Sequence, residues 1–221
     1  MDFDFSPILD NWRFLVQGLL ITIELSVATI VAATLVGIAL GLGRVYGPGW
    51  LRVPLTFYVD SMRAIPVLVV LVWTFFAFPL VTGVTLPPFW AALAALTLHI
   101  SAFVSEILRA GLNSIRPGQV RAARALGMSG AQIVRKILFP QAVVRMLPAY
   151  GSLLSVTIKD TAIASVIAVP ELMRQSETIA AQNYAPIEVF TTAMLAYFLI
   201  LFPVTRAVEA FYRRVAHLGR S

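Results

Sequence analysis

The stretch Arg116-Pro117-Gly118-Gln119-Val120-Arg121-Ala122-Ala123-Arg124-Ala125-Leu126-Gly127-Met128-Ser129-Gly130-Ala131-Gln132-Ile133-Val134-Arg135-Lys136-Ile137-Leu138-Phe139-Pro140 decides how the rest of the chain is read. Pro117 suits the first turn of a helix, where its missing N–H is no loss. Gly127 suits the end of one, where a left-handed residue is wanted. Between them Val120, Ala123 and Leu126 recur at a spacing of three and make one apolar stripe, while Arg121 and Arg124 share another face. Ser129 and Gln132 form an S-x-x-Q capping box that opens a second helix. Ile133, Ile137 and Leu138 give that helix an apolar face, and Pro140 is expected to limit it. The result is a helix–turn–helix lying on a membrane surface. Periodicity alone leaves two readings open: an interfacial pair set on anionic headgroups, or a docking element for a cytoplasmic partner.

The membrane is implied by the chain on either side. Of 221 residues, 59% are hydrophobic and only 13% charged, with a mean hydropathy of +0.84. A soluble domain carries about 25% charge, so this chain cannot coat itself for water. A bilayer core of about 30 Å needs roughly 20 apolar helical residues. Leu25 to Gly43 carries no charge, and its helix is expected to begin before Glu24. Ala64 to Ser105 is also free of charge. It is too long for one crossing and is divided by Pro79, Gly83, Pro87 and Pro88, which predicts helices over about 64–81 and 88–108. A fourth is predicted over about 141–158, interrupted by Arg145 and Pro148, and a fifth over about 189–209. Thr161 to Val169 is apolar but too short to cross, and reads as a half-helix. No linker, repeat or low-complexity tract divides the chain, so residues 1–221 are expected to form a single transmembrane domain, all-α, with five crossings.

Charge then orients it. Arg44 and Arg52, the run Arg116, Arg121, Arg124, Arg135 and Lys136, and the tail residues Arg213, Arg214 and Arg220 all fall on one side of a five-crossing chain. By the positive-inside rule that side is the cytoplasm. The other side holds Arg13 and Arg174 against Asp2, Asp4, Asp10, Glu171, Glu177 and Glu188. The N-terminus is therefore expected outside and the C-terminus inside. The acidic start lacks the positive n-region of a secretory signal, so the first apolar segment is expected to stay. Topology accounts for the net charge of +6, and nucleic acid is not needed as a partner.

Several chemistries are excluded. There are no cysteines, so no disulfide or thiolate site. The only lysines, Lys136 and Lys159, follow Arg135 and Ile158 rather than the glycine of a P-loop, and HExxH and GxSxG are absent. His99 and His217 have no partner at metal-ligand spacing, and His99 reads as a packing or hydrogen-bonding residue. No metal site and no catalytic residue is expected.

The basic loop resembles the EAA loop of ABC-importer membrane subunits, whose pattern is E-A-A, three residues, G, nine residues, I-x-L-P. Ala122, Ala123, Gly127, Ile137 and Pro140 match it, while Arg121 stands at the acidic position and Phe139 at the leucine. Four further groups are similar to the polar amino-acid subfamily. Gly18, Thr22 and Ser26 open the first helix. Ser61-Met62-Arg63-Ala64-Ile65-Pro66 and Ser105-Glu106-Ile107-Leu108-Arg109-Ala110-Gly111 follow, then Lys159-Asp160-Thr161 through Val169-Pro170-Glu171-Leu172. The similarity runs from about Gly18 to Phe211.

This resemblance implies a type I ABC importer-like permease of the histidine/glutamine/arginine kind, in a bacterial inner membrane and not itself an enzyme. It implies a second permease subunit, identical or not, around one path. It also implies two cytoplasmic ATPase subunits that carry ATP and Mg, with no cofactor on this chain, and an external solute-binding protein. Arg121, Ala122, Ala123, Gly127, Ser129, Ile137 and Pro140 would form the ATPase-coupling element. Lys159, Asp160 and Thr161 are expected beside the substrate path, with Ser61, Arg63 and Glu106 as further candidates. Asp160 is expected to cap the start of the half-helix, whose positive end suits a carboxylate. Two other classes remain: an ion- or proton-coupled carrier using Glu24, Glu106 and Asp160, since intramembrane carboxylates are costly, and a structural adaptor. Glu106 and Arg109, three apart on a helix, are expected to neutralise each other.

Overall fold

A computed structural model describes residues 4–216. Asp2, His217 and Arg220 lie outside the described residues. A short helix, α1 (Ser6–Asp10), leads into α2 (Trp12–Tyr46), which is longer than the apolar core from which it was predicted. Small residues let α2 lie along α6 (Pro88–Asn113) over much of its length. A Cβ built on Gly37 would stand 2.5 Å from Val104 Cβ, and one on Gly41 2.8 Å from Leu108 Cδ2. Such close approach is how membrane helices gain packing where lipid supplies no hydrophobic drive.

Between these two lies an element missing from the sequence reading. Helix α3 (Gly49–Ala64) stops at Ile65, whose extended backbone (φ −86°, ψ 132°) is what a following proline demands. The chain then turns by 108° into α4 (Val67–Val72), one π-helical turn (Trp73–Ala77) and α5 (Phe78–Thr82), which Gly83 ends at φ 74°. The predicted 64–81 helix is therefore the second limb of a bent pair.

After α6 come α7 (Pro117–Ala125) and α8 (Gly130–Ile133), then a second π-helical turn (Val134–Leu138) and α9 (Phe139–Asp160). Pro140 does not limit the helix as expected. Both π turns run directly into Phe-Pro, at Phe78-Pro79 and Phe139-Pro140. A proline inside a helix lacks an N–H and clashes with the carbonyl four residues back, and the wider turn just before it accommodates both. Helix α9 continues without a break into a 3₁₀ segment (Thr161–Ile167), which closes at Ala168 with φ 63°. Helices α10 (Leu172–Asn183) and α11 (Pro186–Val215) complete the chain.

Four stretches are long and apolar enough to cross a membrane: Trp12–Tyr46, Pro88–Asn113, Gly130–Ile167 and Pro186–Val215. The bent pair Gly49–Ala64 with Val67–Thr82 makes the fifth. No strand occurs among the described residues. The architecture is an all-α, multi-pass membrane domain. Asp4 N–H lies 3.4 Å from Glu188 Oε1, so the acidic segments meet at one end of the bundle. Arg44, Glu106 and Arg109 meet at the other.

Candidate functional site

The α7–α8 pair is built almost wholly from local signals. Helix α7 ends in a Schellman arrangement. Gly127 sits at φ 75°, its N–H bonds the Arg124 carbonyl at 3.0 Å, and Met128 N–H bonds that of Ala123 at 3.1 Å. The capping box is complete: Ser129 N–H donates to Gln132 Oε1 at 2.9 Å and Gln132 N–H to Ser129 Oγ at 3.4 Å. Ala123 and Ile133 are buried and Ile137 is half-buried, while Arg121, Ala122 and Arg124 are exposed. One expectation fails here. Leu126 is 82% exposed and does not join the stripe of Val120 and Ala123, because each step of three residues falls about 60° short of a full turn and carries Leu126 about 120° away from Val120. The outer face of the pair thus offers two guanidiniums beside a bare leucine.

At the same end of the bundle, Glu106 on α6 gathers three arginines from three helices. Arg44 of α2 donates from a buried side chain at 3.1 Å, and Arg109 Nε donates at 3.0 Å with a second bond through its terminal nitrogen. Arg63 of α3 approaches to 3.9 Å. The Glu106–Arg109 pair was legible in the sequence; the partners on α2 and α3 were not. Ser61 is half-buried two residues back from Arg63 on α3, on another face of the helix.

Lys159, Asp160 and Thr161 face three different surroundings. Asp160 lines a cavity of about 240 Å³ between α6 and α9, with His99, Phe103 and Val156 among its walls. Lys159 opens on another face, into a cavity of about 550 Å³ between α9 and α11 that Ser155, Thr205 and Glu209 also line. Thr161 is fully buried, and its hydroxyl donates to the Ile158 carbonyl at 2.8 Å, so it offers no free donor. Nor does Asp160 cap a helix. Its backbone is helical (φ −67°, ψ −21°) and its carboxylate makes no capping bond, because the chain passes into the 3₁₀ segment without a new helix start. The positive helix end expected to meet a carboxylate is absent.

Among the described residues Asp160 makes no hydrogen bond or ion pair with another side chain. In the same cavity His99 is buried against Phe103, with ring centroids 5.2 Å apart, and its Nδ1 has no partner. A carboxylate and an imidazole nitrogen thus stay unsatisfied in one cavity at membrane depth. Glu24 lies exposed on the side of α2, while Glu106 and Asp160 line different cavities.

A fourth carboxylate has a structural part that the sequence alone does not assign. Glu171, expected as a charge on the outer side, is fully buried. It caps α10 by accepting from the Met173 and Arg174 N–H groups, each at 2.8 Å, and from the Tyr197 hydroxyl of α11 at 2.9 Å. Thr22 of α2 stands 3.4 Å away and accepts from Leu172 N–H at 3.0 Å. The knot ties α2, α10 and α11. A carboxylate directly before Leu172, at an N-cap position, was the available signal.

Comparison with known proteins agrees with this geometry. Residues 33–217 match the model of the binding-protein-dependent transport system inner membrane component family. The chain is 33% identical over 214 residues to octopine transport system permease protein OccM of Rhizobium radiobacter, covering 93% of this chain and 87% of that one. It is 33% identical to arginine transport system permease protein ArtQ of Bacillus subtilis, covering 97% and 98%. It is 31% identical to glutamine transport system permease protein GlnP of Escherichia coli, covering 97% and 99%. Among solved structures it superposes on an amino acid ABC transporter chain, crystallised with histidines, with TM-score 0.90 and 31% identity over 97% of this chain and 100% of that one. The MetNI methionine transporter shares the fold at TM-score 0.79 and 21% identity, over 95% and 98%. With a family match over residues 33–217 and a fold that superposes over 97% of the chain, the chain belongs to the binding-protein-dependent transport system inner membrane components, as a permease related to those of amino-acid ABC transporters.

Proposed function

We propose that this chain is the membrane-spanning subunit of an ATP-driven importer for a polar amino acid or close derivative. Its partners would be a second permease subunit, two cytoplasmic ATPase subunits that bring ATP and Mg, and an external solute-binding protein. The observation that carries the reading is the α7–α8 pair. Both helices are fixed by their own caps and by buried Ala123 and Ile133, and they leave Arg121, Ala122, Arg124 and Leu126 uncovered beyond the membrane helices. That is a rigid surface built for docking, and Arg121 calls for an acidic counterpart on the ATPase. The arginine-rich end is then cytoplasmic, with the N-terminus outside.

Within the path, the cavity between α6 and α9 receives the solute. Asp160 meets the ammonium group of the substrate, a charge-assisted bond that an unpaired carboxylate is free to make. His99 offers a second polar contact. Lys159 opens elsewhere, so one solute does not touch both Lys159 and Asp160 of the same chain. Vesicles holding this chain with its ATPases and binding protein should take up a polar amino acid only with ATP inside, and Asp160→Asn should lower that uptake at least tenfold while basal ATP hydrolysis persists. Uptake by the chain alone, driven by a proton or ion gradient, would refute the importer. Unchanged uptake by the variant would remove Asp160 from the path.

A further inference from the structure

The arginine-rich end of the bundle holds a cavity of about 540 Å³ walled by α2, α3 and α6. Four guanidiniums line it, those of Arg44, Arg52, Arg63 and Arg109, against two carboxylates, Asp60 and Glu106. Glu106 is already shared by three of the arginines. Arg52 has no ion-pair partner within 4 Å among the described residues, and Arg63 is held only by a 3.9 Å contact and by the Phe103 ring, 5.9 Å from its guanidinium carbon. Positive charge is therefore left over in a preformed concave site.

Helix α3 shows what lies outside it. Arg52, Thr56, Asp60 and Arg63 form one polar stripe turned into the cavity. Beside it Trp50, Val53 and Phe57, at helical spacing, stand 70–76% exposed. A polar, cationic stripe next to an uncovered aromatic and aliphatic one is the pattern of a helix seated at the membrane interface. Basic pockets between membrane helices on the cytoplasmic side suit phosphate headgroups.

We infer that this cavity binds the phosphate of an anionic phospholipid of the adjoining leaflet. Arg52 and Arg63 hold the phosphate oxygens, and the acyl chains run along Trp50, Val53 and Phe57. Arg44, locked on Glu106, sets the inner wall. The site is separate from the Asp160 cavity, since Phe103 stands between them, and it does not depend on what the chain transports.

Native mass spectrometry of the full chain in detergent tests this with phosphatidylglycerol and phosphatidylcholine of matched chains. Phosphatidylglycerol should bind at least tenfold more tightly. The Arg52→Gln/Arg63→Gln double variant should lose that preference, and Arg52→Gln alone, an exposed and unpaired position, should lose part of it with the melting temperature unchanged. Equal affinity for the two lipids, or a preference that survives in both variants, overturns the inference. Millimolar inorganic phosphate should leave lipid occupancy intact; full displacement would assign the cavity to free anions instead. Brominated phosphatidylglycerol should quench less fluorescence after Trp50→Phe. Quenching that is unchanged would mean that protein, such as a second copy, covers the stripe, and the lipid seat would fall.

Discussion

Asp160 ends α9 and Glu171 caps α10, and the two carboxylates are treated in opposite ways. Glu171 is fully buried and answered by two backbone N–H groups and a tyrosine hydroxyl, so its charge is spent inside the fold. Asp160 is half-buried, borders a cavity and is answered by no side chain among the described residues. The contrast separates two uses of an acidic residue in a membrane protein. A saturated carboxylate fixes helices; an unsaturated one is kept available. Glu106, with its three arginines, belongs with Glu171 in this respect.

The comparison can be broken by stability measurements on the detergent-solubilised protein. The largest loss is expected for Glu171→Ala, which strands the Met173 and Arg174 N–H groups and the Tyr197 hydroxyl in a buried place. Leaving such groups unpaired costs about 1–3 kcal/mol each, so the change should destabilise by about 3 kcal/mol or more in thermal unfolding. A loss below 1 kcal/mol would mean that the knot is not holding α2, α10 and α11 together. An intermediate effect is expected for Gly127→Val. Open space surrounds Gly127, so no clash follows, but a branched side chain must adopt φ 75°. That strain is about 1–2 kcal/mol, and transport-coupled ATP hydrolysis should fall while membrane insertion is kept. Wild-type coupling in Gly127→Val would show that the turn angle does not matter to docking. The smallest effect should come from Asp160→Asn, which removes a charge that no hydrogen bond or ion pair among the described residues uses. Its unfolding free energy should match wild type within about 0.5 kcal/mol, the spread of substitutions that touch no structural partner. If Asp160→Asn melts as early as Glu171→Ala, the distinction between the two carboxylates is false.

What the sequence made legible follows the same division between local and distant contacts. The Pro117 start, the Gly127 turn and the Ser129–Gln132 box were readable because each partner lies within five residues. The membrane helices were readable because apolar length alone calls for them. Glu106 with Arg109, on one helix face, was readable too. The Arg44 and Arg63 partners were not, since they arrive from other helices. Helix α3 was missed because its charges hide it from an apolar count and because it is one limb of a bent pair. The expected cap at Asp160 failed for a backbone reason: the chain narrows into a 3₁₀ segment instead of restarting a helix, and nothing in Lys159-Asp160-Thr161 signals that choice.

The π-helical turn at Val134–Leu138 has a consequence for how the two ends of the Gly130–Ile167 span face. A π turn holds one residue more than the α turn it replaces, and one residue is about 100° of rotation in an α-helix. Ile133, before the turn, is buried next to α7, while Ala142 and Val144, after it, are buried in the membrane bundle. Without the π turn, every residue after it would be rotated by about 100° relative to Ile133. The direction in which the outer face of α7–α8 points is therefore a matter of counting: the extra residue sets the phase between the α7–α8 pair and the membrane helix, and Pro140 keeps that turn from relaxing into the ordinary one.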